Sequence, residues 1–269
     1  MTDHYAVFGN PIAHSKSPLI HAAFARQTGQ DLDYTALLAP VDGFVECVTA
    51  FRAGGGAGAN VTVPFKEQAY ALATRRSARA ESAGAVNTLL FQGAQIHGDN
   101  TDGAGLVADL TRNLGVDLQG RRILLMGAGG AARGVVQPLL EHGPSALFIA
   151  NRTPGRAVEL AARFRHAGPV QGGGYDALAG SAYDIIVNAT AASLAGEMPP
   201  LPDGIFAADG LAYDMMYGMD TPFLQLARQA GARCADGLGM LVEQAAEAFF
   251  LWRGVRPDTA PVIAMLRAG

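Results

Sequence analysis

A short apolar run that ends in a glycine-rich loop restricts the fold of this chain more than any other feature. The run Ile123–Met126 is too short for a helix and leads into Gly127–Ala132, which reads Gly-Ala-Gly-Gly-Ala-Ala. In this pattern the first glycine permits a tight turn, the second lets a diphosphate approach the backbone, and the last small residue lets helix and strand pack closely. The sequence therefore predicts a strand, a dinucleotide-binding loop and a helix whose first N–H groups face phosphate. The predicted contacts are Gly127, Ala128, Gly129, Gly130 and Ala131.

The end of the next strand indicates which dinucleotide is bound. Enzymes that use NAD place an acid about 20 residues after the first glycine, where it accepts hydrogen bonds from the ribose. Here the segment is Asn151-Arg152-Thr153, with Arg156 beyond it. A guanidinium can pair bidentately with a 2′-phosphate, which an acid would repel, so the sequence predicts NADP. A purely structural alternative has Thr153 capping a helix and the arginines in solvent, and the two interpretations are compatible.

The rest of the chain alternates short apolar strands with helical segments. The predicted strands are Tyr5–Phe8, Asp33–Leu38, Ala59–Val63, Leu147–Ala150, Asp184–Val187 and Ala207–Leu211. The predicted helices include Pro18–Thr28, Asp42–Ala53 and Gly239–Trp252. This alternation predicts an α/β fold with a doubly wound sheet in the second half, and 269 residues favour two lobes over one. The glycine patch Gly54–Gly58 is explained by a helix end and a turn.

Composition narrows the class of function. A net charge of -4 gives no basic surface for nucleic acid, and no apolar run is long enough to span a membrane. Cys47 and Cys234 have neither the spacing of a redox motif nor that of a disulfide framework, so we expect a cytoplasmic protein. The six histidines are scattered without metal-ligand spacing, and we expect no metal. A small-molecule substrate fits best.

Lys66 and Asp102 are the first candidates for acid–base chemistry. Lys66 follows Pro64, and a proline at this place is typical of the start of a helix. A lysine in the first turn of a helix is unfavourable, because the N-terminal end of the helix dipole is already positive. A residue that is unfavourable for its local structure is often retained because it has a functional role. Asp102 precedes a helix and could equally be a plain N-cap, just as Lys66 could be a solvated lysine.

Several separated motifs, taken together, resemble the shikimate dehydrogenase family over nearly the entire chain. They are Gly9–Pro18, Asn60–Lys66, Ala83–Thr88, Asn100–Gly103, the loop from Gly127, Asn151–Thr153, Tyr213–Met215 and Gly237–Ala245. The resemblance implies reversible reduction of 3-dehydroshikimate to shikimate with NADPH, in chorismate and aromatic amino acid biosynthesis. One departure is visible, because relatives commonly continue the Asn188–Thr190 motif with a serine or small polar residue and this chain has Ala191-Ala192.

The resemblance also implies roles for individual residues. Lys66 and Asp102 would be the catalytic pair, and Ser15 and Ser17 would bind the substrate carboxylate. The remaining substrate residues would be Thr62, Asn87, Tyr217 and Gln244. The remaining cofactor residues would be Asn151, Arg152, Thr153, Arg156, Thr190, Met215, Gly237 and Met240.

The family architecture implies a substrate lobe over residues 1–102, a Rossmann-type lobe over 103–237 and a C-terminal helical segment, 238–269, returning to the first lobe. Three alternatives stay open. A quinate/shikimate dehydrogenase would use NAD or both cofactors. A methylenetetrahydrofolate dehydrogenase would share the two-lobe plan and a catalytic lysine, but the motifs with Ser15, Ser17 and Asn87 argue against it. A non-catalytic nucleotide-binding regulator should have lost Lys66 or Asp102. The sequence leaves open a monomer or a homodimer.

Overall fold

The computed structural model describes residues 2–190, 198 and 200–268. The chain forms two compact units, one made of residues 1–105 and 241–269 and the other of residues 106–240. The chain passes from one unit to the other inside two helices, α5 (Asp102–Ala108) and α9 (Leu238–Arg253). Among the described helices, none is both long enough and apolar enough to cross a bilayer.

The first unit is built on a mixed six-stranded sheet in the order β2-β1-β3-β5-β6-β4. Its strands are β1 (Asp3–Gly9), β2 (Leu32–Leu38), β3 (Gly56–Val61), β4 (Arg75–Arg76), β5 (Thr88–Gln92) and β6 (Gln95–Asp99). Strands β1, β2 and β3 are parallel, whereas β5 is antiparallel to both β3 and β6. Because β6 follows the direction of β3, the carboxyl ends of β1, β3 and β6 lie at one edge of the sheet.

Helices and aromatic side chains complete the first unit. The helices are α1 (Ser17–Thr28), α2 (Phe44–Ala53), α3 (Lys66–Leu72), α4 (Ala78–Ala83), α10 (Ala260–Ala268) and the greater part of α9. One core cluster contains Phe8, Phe44 and Phe65, and another joins Phe24 to Phe249. These rings make edge-on and stacked contacts that hold α1, α2 and α9 in fixed positions.

The second unit has a six-stranded sheet in the order β12-β11-β10-β7-β8-β9, with every neighbouring pair parallel. Its strands are β7 (Arg122–Met126), β8 (Ala146–Ala150), β9 (Val170–Gly173), β10 (Tyr183–Asn188), β11 (Phe206–Asp214) and β12 (Arg233–Asp236). The strand order reverses between β7 and β10, as it does in dinucleotide-binding sheets. Ligands bind outside the carboxyl ends of the strands at such a reversal.

Helices alternate with the strands of the second unit. They are α6 (Gly130–Leu140), α7 (Pro154–Phe164) and α8 (Pro222–Gln229), while α5 continues into a π-helical turn, Asp109–Asn113. Buried aliphatic residues of β7, including Ile123 and Leu125, pack against Val135 and Leu139 of α6. The predicted α/β class and the doubly wound second sheet are both confirmed.

Some local predictions need correction. Only Gly54 and Gly55 end α2, because Gly56 and Gly58 lie inside β3, where a side chain at Gly58 would collide with the Trp252 ring. Pro64 does not begin a helix, since α3 starts at Lys66. The Asn10–Pro11 and Val63–Pro64 peptide bonds are both cis, which the sequence left open.

Candidate active site

A cluster of polar side chains lies at the carboxyl edge of the first sheet. Thr62 follows β3, Lys66 is the first residue of α3, and Asp102 lies three residues beyond the end of β6. Asn87 immediately precedes β5, which starts at this edge because it is antiparallel to its neighbours. The sheet topology therefore collects residues that are far apart in the sequence.

Lys66 and Asp102 form a close ion pair. Lys66 Nζ donates to Asp102 Oδ2 at 2.6 Å, with 23% of the lysine side chain and 10% of the aspartate side chain exposed. The second carboxylate oxygen accepts a hydrogen bond from Asn87 Nδ2 at 2.8 Å. The Asp102 carboxylate is thus held by two side chains rather than by the helix end, so the interpretation as a plain N-cap is wrong, as is that of Lys66 as a solvated lysine.

Asn87 is the centre of this cluster. Its backbone N–H donates to the backbone carbonyl of Asp99 at 3.0 Å, and its own backbone carbonyl accepts from Val61 N at 2.8 Å. Its side-chain nitrogen also lies 3.0 Å from Thr101 Oγ1 and 3.4 Å from Gln244 Oε1. The predicted residues Asn87, Asp102, Lys66 and Gln244 are therefore brought together in one polar cluster.

The two predicted carboxylate-binding serines lie at the start of α1. Ser17 is the first residue of the helix and is 8% exposed, and its N–H donates to Ser15 Oγ at 3.3 Å. Thr62 approaches β1 so closely that a side chain at Gly9 would collide with its methyl group. Short donors with little rotamer freedom are suited to fixing a small anion.

Four buried or half-buried polar residues in this unit were not singled out from the sequence. Thr101 lies beside Asn87 and Gln244, and Asn60 donates to the Asn87 carbonyl at 3.2 Å. Thr88 and Tyr34 contact Asn60 in turn. Asn60, Thr88 and Thr101 each lie in or beside a quoted motif, so a search for uncharged polar residues in buried strands would have found them. Tyr34 carries no such signal.

In the second unit the predicted cofactor residues gather at the carboxyl ends of the parallel strands. Gly127 follows β7, Asn151 follows β8, Met215 follows β11 and Gly237 follows β12. Thr190 lies two residues after β10, where its hydroxyl donates to Asn188 Oδ1 at 2.7 Å. These segments flank the reversal of strand order, which is where a dinucleotide is expected.

The glycine loop has the geometry that a diphosphate requires. Gly127 has a φ of +108°, and a side chain there would come within 3.1 Å of the Ala189 carbonyl oxygen. Gly129 is the N-cap of α6, and a Cβ built on it meets nothing within 4 Å. Ala132 is fully buried where helix and strand meet. The first N–H groups of an α-helix have no partner within the helix, so those of α6, together with the open backbone at Gly129, fit a diphosphate.

The loop after β8 is cationic. Arg152 and Arg156 are both exposed, and Asn151 Nδ2 donates to the Thr153 carbonyl at 3.0 Å, which shapes the turn. Burial raises the pKa of Tyr175 to about 12, and the nearby Arg152 guanidinium opposes that rise. Thr153 occupies the N-cap of α7, but its side chain makes no capping hydrogen bond. The loop therefore offers guanidinium groups to an anion, which fits the 2′-phosphate of NADP.

The other predicted cofactor residues differ in their surroundings. A side chain at Gly237 would collide with the Met215 backbone, so those two segments are in close contact. Met240 is buried in the core of the second unit. Tyr217 is half-buried and belongs to this unit, and burial raises the pKa of its phenol. Ala191 and Ala192 lie outside the described residues. Within the described ranges, no three His, Cys, Asp or Glu side chains converge as metal ligands.

Three family models match the chain. Residues 7–89 match "Shikimate dehydrogenase substrate binding domain", residues 109–195 match "Shikimate / quinate 5-dehydrogenase", and residues 237–267 match "Shikimate 5'-dehydrogenase C-terminal domain".

Similar proteins span the same length. A shikimate dehydrogenase (NADP(+)) from Nitrosospira multiformis is 64% identical, over 100% of this chain and 98% of its own length. The crystal structure of an Ael1 enzyme from Pseudomonas putida is 51% identical with a TM-score of 0.94, covering 98% of both chains. Shikimate 5-dehydrogenase from Thermus thermophilus, crystallised with NADP(H) and shikimate, is 34% identical with a TM-score of 0.88, covering 99% of both chains.

Proposed function

Since this chain belongs to the shikimate dehydrogenase family, we propose that it catalyses the reversible reduction of 3-dehydroshikimate to shikimate with NADPH, in chorismate and aromatic amino acid biosynthesis. The observation that carries the proposal is the Lys66–Asp102 pair, joined at 2.6 Å and bordered by the amides of Asn87 and Gln244. A cation held by a carboxylate beside neutral donors suits reduction of a carbonyl on a polyhydroxylated acid.

In the direction of reduction, NADPH supplies a hydride to the carbonyl carbon of the substrate. The ammonium of Lys66 donates a hydrogen bond to the carbonyl oxygen and transfers its proton as that oxygen gains charge. In the reverse direction the neutral amine takes the hydroxyl proton. Asp102 holds the Lys66 amine in place and accepts from the substrate hydroxyl, so that both groups are aligned before the reaction.

The remaining polar residues of the first unit bind the substrate in this proposal. Ser15 and Ser17 donate to its carboxylate, while Thr62, Asn87 and Gln244 bind its hydroxyl groups. A buried hydroxyl left without a partner costs about 1–3 kcal/mol, so each such contact rejects analogues that lack the matching group. Tyr217 provides one more hydroxyl to the substrate, and burial raises the pKa of this phenol, which keeps it in the neutral, donating form.

The cofactor is NADP, as in the similar enzymes. We propose that the backbone from Gly127 to Ala131 binds the diphosphate and that Arg152 and Arg156 pair with the 2′-phosphate, with Asn151 and Thr153 shaping the loop. The part of the site that binds the nicotinamide end of the cofactor is lined by Thr190, Met215, Gly237 and Met240. The described geometry that supports this proposal is the open backbone at Gly129 and the exposed guanidinium groups after β8.

In the same proposal, residues 1–102 form the substrate-binding domain, residues 103–237 form the NADP-binding Rossmann domain, and residues 238–269 form a C-terminal helical segment that returns to the substrate-binding domain. We also propose a cytoplasmic location, which is supported by the free thiols of Cys47 and Cys234. We propose that the protein acts as a monomer or a homodimer, which light scattering distinguishes.

Use of quinate, with NAD or with both cofactors, is the second candidate, because the matching central model is named for shikimate and quinate alike. The arginines after β8 favour NADP over NAD. Initial rates with shikimate or quinate, each with NADP or NAD, test both candidates in one experiment. We expect shikimate with NADP to give the highest kcat/KM. Turnover of quinate with NAD at an equal or higher kcat/KM would favour the second candidate, and no turnover in any pairing would contradict both.

A further inference from the structure

A chain of side-chain hydrogen bonds crosses the first unit from Tyr34 to Asp102. Tyr34 OH lies 2.7 Å from Asn60 Oδ1, and Asn60 Nδ2 lies 3.1 Å from Thr88 Oγ1. Thr88 Oγ1 lies 2.9 Å from Asn87 Oδ1, and Asn87 Nδ2 lies 2.8 Å from Asp102 Oδ1. Asn60, Thr88, Asn87 and Asp102 are all buried.

Two backbone groups decide which way each amide points. The Asn60 side-chain nitrogen faces the Asn87 carbonyl at 3.2 Å, and a carbonyl can only accept. The Asn87 side-chain oxygen faces the Thr101 N–H at 2.9 Å, and an N–H can only donate. Neither amide can therefore flip without placing like groups against each other in a buried site, which costs more than a lost hydrogen bond in solvent.

The direction of the remaining links follows from those two orientations. The Thr88 hydroxyl lies between a donor on Asn60 and an acceptor on Asn87, so it must donate its proton to Asn87. The Tyr34 hydroxyl faces an acceptor on Asn60, so it must donate as well. Burial raises the pKa of Tyr34 well above 10, which keeps this phenol protonated as the first donor of the chain. Every link thus donates toward Asp102.

We propose that Tyr34, Asn60 and Thr88 are positioning residues, which fix the Asn87 amide so that it donates to Asp102 and leaves the other carboxylate oxygen to Lys66. This inference rests on the proposed function of Lys66 and Asp102. Hydrogen bonds aligned in one direction polarise one another, and a low-dielectric interior strengthens them.

The ring of Tyr34 and its hydroxyl contact different residues. The ring stacks on His21 with ring centroids 4.1 Å apart and planes 8° from parallel, and it also lies near the Trp252 ring. Tyr34→Phe therefore removes the first donor and keeps the ring contacts. Tyr70→Phe is a matched control, because Tyr70 OH donates to Glu81 at 2.6 Å in the same unit and takes no part in the chain of hydrogen bonds.

The first test compares kcat for shikimate oxidation in variants along the chain of hydrogen bonds. We expect Tyr34→Phe and Thr88→Val to lower kcat roughly three- to tenfold, the loss of one buried hydrogen bond, with KM for NADP within about twofold of wild type. Thr88→Ser keeps the hydroxyl and should stay close to wild type, as should Tyr70→Phe. Fluorescence of Trp252, the single tryptophan, verifies that the first unit is folded in each variant.

The second test asks whether Tyr34 acts through Asn87. If it does, Tyr34→Phe should lower kcat by less than twofold when it is introduced into Asn87→Ala, because the chain of hydrogen bonds is already broken there. A kcat for Tyr34→Phe equal to wild type, equal losses in Thr88→Ser and Thr88→Val, or the same loss in both backgrounds would overturn the inference. Absence of shikimate turnover in the wild type would contradict the proposed function and the inference together, whereas wild-type turnover with unchanged kcat in Tyr34→Phe would overturn the inference alone.

Discussion

Lys66 Nζ donates to Asp102 Oδ2 across 2.6 Å, although the two residues are 36 positions apart in the sequence. The contact exists because β3 and β6 end at the same edge of one sheet, with the start of α3 and the start of α5 beside each other there. A lysine in the first turn of α3 is unfavourable with respect to the helix dipole, and the carboxylate of Asp102 compensates for it.

Removal of either member of this pair should reduce the rate far more than the binding of cofactor. Positioned acid–base groups contribute about 10²–10⁴-fold, so we expect Lys66→Ala and Asp102→Asn each to lower kcat by roughly that factor. The double variant should lose much less than the product of the single losses, because the two act as a unit. Steady-state kinetics with shikimate and fluorescence titration with NADPH measure both quantities. A kcat for Lys66→Ala within about twofold of wild type would mean that another group supplies the proton.

Arg152→Ala should change cofactor preference. Loss of one charge-assisted contact to the 2′-phosphate costs about 1.5–3 kcal/mol, which is roughly 10- to 150-fold in affinity for NADP. Binding of NAD, which lacks that phosphate, should hardly change. Arg163→Ala is the matched control, since Arg163 is an exposed arginine in the last turn of α7, the helix that follows the loop of Arg152. Equal weakening of NADP and NAD binding would show that Arg152 does not recognise the 2′-phosphate.

Replacing Ser15 and Ser17 together by alanine should weaken the binding of shikimate and leave the binding of NADP unchanged. The two hydroxyls lie at the start of α1 in the first unit, so KM for shikimate should rise while KM for NADP stays constant. Initial rates at saturating concentrations of one substrate and varied concentrations of the other separate the two constants. A wild-type KM for shikimate would remove both serines from the site, and a rise in KM for NADP instead would contradict the assignment of substrate to the first unit.

Two glycines of the cofactor loop should respond differently to alanine. Gly127→Ala forces a side chain into a φ of +108° and against the Ala189 carbonyl, so it should lower the midpoint of thermal unfolding. Gly129→Ala meets no protein atom within 4 Å and should leave that midpoint near wild type. Its methyl group should nevertheless obstruct the diphosphate and raise KM for NADPH. If Gly129→Ala bound NADPH normally, the diphosphate would have to lie elsewhere.

His21 should make the first unit sensitive to mild acid. Burial lowers the pKa of His21 to about 3, whereas a histidine in the unfolded chain has a pKa near 6.5. Between these values the unfolded chain binds the extra proton, so the free energy of unfolding should fall by up to about 1.4 kcal/mol for each unit of pH below roughly 6. Urea unfolding followed by Trp252 fluorescence from pH 4.5 to 7 measures this slope, because Trp252 lies beside His21.

His21→Phe should flatten that dependence, and His166→Phe, which removes an exposed histidine, should not. Parallel slopes for wild type and His21→Phe would show that His21 is not the titrating group.

The sequence by itself determined the class of fold, the dinucleotide loop and the residue types at the strand ends. These features are local: a short apolar run followed by Gly127, Gly129 and Ala132 leaves few ways to fold, and the residues after β8 decide the charge of their loop wherever that loop lies. The motifs around Lys66 and Asp102 indicated the family, although each residue also had an ordinary structural explanation.

Only the tertiary structure decided how these side chains meet. Asp102 could have been a helix cap until the sheet order placed it against Lys66 and Asn87. The role proposed for Tyr34 depends on a hydrogen bond that reaches from β2 past β1 to β3, and no pattern along the sequence encodes such a contact. The physical reason is that periodicity and capping act over a few residues, whereas the direction of a buried hydrogen bond is decided by every group packed around it.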